Sequence, residues 1–215
     1  MLYLDSADRP QLAPLLATAL FDGVTTNPLI LHRAGLAATD LPDLSQWLRD
    51  HGCRRLFAQA TGTTIKELRA SAAAVTALGD DVIVKLVSTH AGLTVAKELS
   101  DAGREVLITA VYHPAQILLA AAAGAHYIAP YVGRATEIGR DGLALVRTLV
   151  AMAADRPRIL AASVRSVDQL ADVSAAGAHD ATLSIDVAKA LLDDELTRSA
   201  AAEFEAVAHA PAGAV

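Results

Sequence analysis

Eight short runs rich in Val, Ile and Leu recur along the chain, each followed by Ala- and Leu-rich sequence at helical spacing. No other feature narrows the fold as far. Strands that alternate with helices run parallel, because each return passes through a helix packed on the sheet. The runs are Leu2 to Asp5, Gly23 to Thr25, Arg55 to Gln59, Val82 to Val87, Val106 to Ala110, Tyr127 to Tyr131, Ile159 to Ser163 and Ala181 to Ser184. Eight such units predict an α/β fold, a parallel (β/α)8 TIM barrel, although the pattern alone leaves an open doubly wound sheet available. A length of 215 residues fits one such domain.

Helix signals fit between the runs. Asn27 before Pro28 reads as an N-cap with proline at the first helical position, and His113-Pro114 is expected to open a helix over Ala115 to Ala123. Thr63 or Thr64 can cap a helix through Leu78, closed by Gly79. The barrel domain is expected to span residues 1 to 192, with a short helix from Val187 to Leu192 after the eighth strand. Residues 193 to 209 are surplus to a barrel and predict an extra C-terminal helix, followed by a tail over 210 to 215. On that helix Leu196, Ala200, Phe204 and Val207 share one apolar face, which needs a surface to cover, on its own barrel or on a neighbouring subunit.

Composition bears on partners and compartment. With 18 Lys and Arg against 24 Asp and Glu, a net charge of −6 argues against nucleic acid, whose phosphates are bound by an excess of cations. The single cysteine, Cys53, has no partner for an internal disulfide, which suits a reducing compartment, the cytoplasm. Asp5 and Asp8 fall before any apolar core could form, so no signal peptide is expected. The longest apolar run, Ile117 to Val132, contains His126 and is shorter than the ~20 residues that cross a bilayer. None of the seven histidines shows metal-site spacing, and neither metal nor cofactor is expected.

In a parallel barrel the C-terminal ends of the strands form the active face. A lysine inside an otherwise aliphatic strand, Asp81-Val82-Ile83-Val84-Lys85-Leu86-Val87, stands out there. At its ordinary pKa only about 0.04% of a lysine is free amine at pH 7, and desolvation raises that fraction, making a nucleophile for carbonyls. The alternative is a lysine paired with a strand-end carboxylate such as Asp5, which could equally hold a proton for imine formation. Thr25-Thr26-Asn27-Pro28 reads either as a turn and cap or as side chains that hold substrate hydroxyls. Arg134, Ser163 and Arg165 suit a phosphate, with two surface arginines on separate loops as the other reading. Tyr131 is a candidate acid or base that would need help from Lys85 or Arg134 to act as a base, while Gln59 and Thr109 could place a water beside it. Trp47 and Cys53 read as packing residues, and His113 as a cap or a surface group.

Six segments together carry a resemblance. Leu4-Asp5-Ser6-Ala7-Asp8, Gly23-Val24-Thr25-Thr26-Asn27-Pro28, Val84-Lys85, Thr109-Ala110-Val111-Tyr112, Ala129-Pro130-Tyr131-Val132-Gly133-Arg134 and Ala161-Ala162-Ser163-Val164-Arg165 resemble, in order, the small transaldolase family. The resemblance implies a Schiff-base aldolase barrel in which Lys85 forms an imine with a ketose and Asp5 aids proton transfer. By the same resemblance Asn27 would hold a substrate hydroxyl, and Arg134, Ser163 and Arg165 the sugar phosphate. Gln59 and Tyr131 match the fructose-6-phosphate aldolase branch, where transaldolases proper carry Glu and Phe. Leu107 and Ala129 match that branch beside the dihydroxyacetone part of the site.

Such a member would cleave fructose 6-phosphate to dihydroxyacetone and glyceraldehyde 3-phosphate. The nearest alternative is a transaldolase that passes the dihydroxyacetone unit to a second sugar phosphate, and more distant ones are a non-catalytic sugar-phosphate-binding barrel and a pyridoxal-phosphate barrel. Resemblance also implies a homo-oligomer, a ring pentamer or decamer whose last helix packs on the next subunit. Departures from relatives occur at Leu86-Val87-Ser88, Ala60-Thr61-Gly62, His113-Pro114 and Gly133, and bear on donor and acceptor preference rather than on the imine.

Overall fold

Tyr3, Phe57, Ile83, Leu107, Tyr127, Ala129, Leu160 and Ala162 form one buried cluster, drawn from six strands, in a computed structural model that describes residues 1–153 and 157–209. That cluster fills the inside of a closed barrel of eight parallel strands in sequence order, confirming the (β/α)8 reading over the open sheet. The strands are Leu2–Asp5 (β1), Gly23–Thr25 (β2), Arg55–Gln59 (β3), Val82–Val87 (β4), Val106–Val111 (β5), Tyr127–Pro130 (β6), Arg158–Val164 (β7) and Asp180–Leu183 (β8). Closure comes from β1 pairing with β8, Leu2 opposite Ala181 and Leu4 opposite Leu183.

The helices are Arg9–Leu16 (α1), Pro28–Arg33 (α2), Leu41–Asp50 (α3), Ile65–Thr76 (α4), His90–Asp101 (α5), Gln116–Ala122 (α6), Val132–Glu137 (α7), Gly142–Met152 (α8), Val167–Ala175 (α9), Ile185–Leu192 (α10) and Glu195–Ala208 (α11). Outward-facing aliphatic residues of the strands, Val24, Val84, Ile108, Ile128 and Leu183 among them, pack with the helices in a second, larger core. Alternate residues of each strand thus serve two cores, as the period of two requires.

Capping chemistry sets several boundaries. Asn27 accepts from the Ile30 amide with Pro28 in the first turn, and Thr64 forms a capping box with Glu67. Ser184 caps α10, so β8 ends at Leu183 rather than at Ser184 and the helix starts two residues before Val187. The helix expected from Ala115 starts at Gln116: the Gln116 side chain accepts from the Tyr112 and His113 amides, and His113 Nδ1 from Ala115, so His113-Pro114 forms a turn instead. Tyr131 lies just past β6, bridged to Ala162 and donating its amide to the Val111 carbonyl at 3.0 Å. The tail over 210 to 215 lies outside the described residues.

Two strands carry irregularities at their C-terminal ends. The register shifts between Ile108 and Val111 on β5 and between Ala161 and Val164 on β7. Within those bulges Ala110 and Ser163 take φ of 57° and 60°, a left-handed conformation that costs a non-glycine residue about 1 kcal/mol or more. Both lie beside the mouth of the barrel.

Candidate active site

Inward-facing residues at the strand ends surround a cavity at the barrel mouth. Its wall includes Asp5, Thr25, Asn27, Lys85, Leu107, Thr109, Ala129, Tyr131, Arg134, Ser163 and Arg165, eleven of the twelve positions singled out from sequence. Gln59 is the exception. It ends β3 in register with Lys85 but borders the outer groove between α3 and α4 rather than this cavity. A larger apolar groove of about 750 Å³ lies outside the barrel between α5 and α6, bordered by Ser88 and Thr89 just after β4.

Lys85 follows Ile83 on the inner face of β4 and is 5% exposed. Burial pushes its amine below the ordinary lysine value, and the Asp5 carboxylate opposes that with a smaller effect. Of these two influences on the lysine, desolvation is the larger. No ion pair to Lys85 occurs at 4.0 Å or less among the described residues. Asp5 is held instead by Thr25, whose hydroxyl donates to Asp5 Oδ1 at 2.5 Å, and Thr25 is in turn 2.7 Å from Thr182 Oγ1.

Across the mouth, Thr109 donates to the Tyr131 hydroxyl at 3.3 Å, the Arg134 guanidinium lies over the Tyr131 ring at 4.9 Å, and Tyr112 meets that ring edge-on. Burial pushes the Tyr131 phenol up, and the Asp5 charge adds to this; Thr109 and Arg134 push the other way without overcoming it. The help expected from Arg134 is present but outweighed, and the resting group is a neutral phenol.

Arg134, Ser163 and Arg165, the three candidates for a phosphate, are brought together by the backbone. Ser163, turned by its left-handed φ, accepts the Arg134 amide through Oγ at 3.2 Å. Gly133 lets α7 approach β7 closely: a Cβ there would sit 2.3 Å from the Ser163 carbonyl oxygen and 2.6 Å from Arg165 Cγ. Arg165 is bound to Glu137 at 2.9 Å, whereas Arg134 forms no ion pair among the described residues. The two arginines, on separate loops, face one cavity.

A family model described as transaldolase/fructose-6-phosphate aldolase matches residues 2–213. The chain belongs to that family. A probable transaldolase of Anaeromyxobacter sp. (strain K) is 33% identical over 217 residues, covering 97% of this chain and 98% of that protein. A probable transaldolase of Rhodospirillum centenum is 34% identical over 209 residues, covering 95% and 89%. Among solved structures, a thiamine phosphate pyrophosphorylase from Pyrococcus furiosus superposes with a TM-score of 0.61 at 17% identity, covering 85% of this chain and 84% of that one. A mandelate oxidase mutant gives 0.61 at 14% identity, covering 88% and 67%. At those identities the two share the barrel fold and nothing further is drawn from them.

For a member of the transaldolase/fructose-6-phosphate aldolase family, several cavity residues were not found from sequence. Leu29, Ile30 and Arg33 approach from α2, which lies at the mouth after β2, and Thr182 and Ser184 come from the end of β8. Thr182 had a readable signal. Asp180-Ala181-Thr182-Leu183 alternates polar and apolar residues, which puts Asp180 and Thr182 on the inner face. Among the described residues no cluster of three or more His, Cys, Asp or Glu is arranged to hold a metal, and no helix is long and apolar enough to cross a membrane. Cys53 is buried with its thiol pushed up to about 11, in keeping with a packing role.

Proposed function

We propose that this family member is a Schiff-base enzyme acting on ketose phosphates, and that its reaction is the reversible cleavage of fructose 6-phosphate. The observation that carries the reading is Lys85, a lysine at the mouth cavity whose burial favours the free amine. In this proposal the amine adds to the C2 carbonyl and loses water to give a protonated imine. The C4 hydroxyl then gives up its proton, the C3–C4 bond breaks, glyceraldehyde 3-phosphate leaves, and the bonding electrons pass to the imine as an enamine. Protonation at C3 and hydrolysis release dihydroxyacetone and restore the amine.

Asp5 exchanges protons during imine formation, and Thr25 and Asn27 take substrate hydroxyls, the Asn27 amide being free to donate while its oxygen caps α2. Arg134, Arg165 and Ser163 bind the phosphate, while Leu107 and Ala129 flank the dihydroxyacetone portion. The C4 proton passes through a water held by Thr109 and Tyr131 to the ionised form of Tyr131, a minor form because burial pushes the phenol up. A neutral Tyr131 suits the reverse direction, where an acid must protonate the aldehyde oxygen. Gln59, outside the cavity wall, enters only as the neighbour of Lys85.

A second reading has its own support. The curated relatives are named probable transaldolases, and a transaldolase shares every step through the enamine before passing the unit to an aldose phosphate. Against it, Asp5 is the one carboxylate of the cavity wall among the described residues, which leaves no second carboxylate there to take the C4 proton. A non-catalytic sugar-phosphate barrel has no use for a buried lysine whose amine titrates below its ordinary value. We place the enzyme in the cytoplasm, as a homo-oligomer whose α11 contacts a neighbour.

Fructose 6-phosphate alone separates the two enzymes. Repeated release of free dihydroxyacetone without an acceptor is the expected result. Turnover that begins only when erythrose 4-phosphate is added would make the chain a transaldolase.

A further inference from the structure

We propose that Thr182 binds a hydroxyl group of the open-chain substrate and that it accepts, rather than donates, in that contact. Nothing in the sequence motifs singled it out, yet it is 3% exposed and forms part of the cavity wall. The direction follows from counting protons. An ionised carboxylate only accepts, so the Thr25 hydroxyl spends its one proton on Asp5 Oδ1, at 2.5 Å. In the 2.7 Å contact between Thr25 and Thr182 the proton must then belong to Thr182. Thr182 is left with lone pairs alone for the cavity.

The ends of β1 and β8 therefore offer acceptors, Asp5 and Thr182, beside the Asn27 amide donor that follows β2, while Arg134 and Arg165, which follow β6 and β7, offer only donors. A cavity divided in this way fits a polyhydroxylated chain with one anionic end: hydroxyls donate to one wall and the anion lies on the other. A keto or ether oxygen placed against Thr182 would face a second acceptor. This inference rests on the sugar-phosphate reading but not on the imine.

The test uses glucitol 6-phosphate, the alcohol analogue of fructose 6-phosphate, which has no carbonyl and forms no imine. Calorimetry on the full chain compares its dissociation constant with that of inorganic phosphate for wild type, Thr182→Val and Thr182→Ser. Loss of one neutral hydrogen bond should weaken glucitol 6-phosphate about threefold to tenfold in the valine variant and leave inorganic phosphate unchanged, with serine restoring the wild-type value. An unchanged constant in Thr182→Val, an equal loss for both ligands, a serine variant as weak as valine, or a wild type that does not bind the polyol phosphate would each overturn it. Because the probe cannot react, a failure of Lys85 to trap a substrate would count against the aldolase reading and not against this contact.

Discussion

Lys85 is a cost to the fold that chemistry explains. A buried amine lacks the solvation it has in the unfolded chain, so replacing it with a similar apolar chain should stabilise the barrel. Lys85→Met is expected to melt about 2 °C or more above wild type at pH 7 while forming no imine. The pH dependence has a definite sign. The folded amine titrates below the unfolded value near 10.4, so between the two the unfolded chain binds more protons, and stability rises with pH across that window. Melts at several pH values should show this rise in wild type and its loss in Lys85→Met; parallel curves would contradict it. Tyr131 has the opposite direction of shift. With the phenol pushed up, acceptor-free cleavage should climb from pH 7 to 9 as its ionised fraction grows, and Tyr131→Phe should lower cleavage about 100-fold while Lys85 still traps dihydroxyacetone. Cleavage undiminished in Tyr131→Phe would remove Tyr131 from the mechanism. Both residues were legible in sequence as a polar group at an apolar strand end, but the balance between burial and neighbouring charge depends on contacts that only the closed barrel creates.

The elements that build the proposed phosphate side were the least legible. Val106 to Ala110 and Ile159 to Ser163 end one residue short of the observed strands, because Ala110 and Ser163 occupy left-handed bulges that no glycine announces. Capping, by contrast, was readable wherever a side chain does it locally, as with Asn27 and Thr64. The close packing of α7 on β7 gives the departure at Gly133 a physical meaning. Gly133→Ala forces its Cβ against the Ser163 carbonyl and the Arg165 side chain, neither able to yield without moving the proposed anion site. Such overpacking should destabilise the chain by about 1–3 kcal/mol. It should also raise KM for fructose 6-phosphate at least about tenfold, with trapping of unphosphorylated dihydroxyacetone little changed. An unaltered KM would mean that α7 does not set the phosphate site.

For the whole molecule, the repeat of strand and helix was plain in the sequence, but closure was not, since it depends on β1 meeting β8 across most of the chain length. The apolar stripe on α11 was legible, and its partner was not. Leu196, Phe204 and Val207 remain 80%, 70% and 56% exposed, so the helix does not bury this face on its own barrel. If a neighbouring copy covers it, removing residues after Leu192 should shift the chain to monomer size on a sizing column; the same elution as full length, corrected for mass, would refute that assembly. The central claim, that the barrel exists to present Lys85 to a ketose, is tested most directly by borohydride reduction in the presence of fructose 6-phosphate, read by intact mass and peptide mapping. A reduced dihydroxyacetone adduct on Lys85 is the predicted result. A folded protein that acquires no adduct, or acquires it on another lysine, would contradict the account.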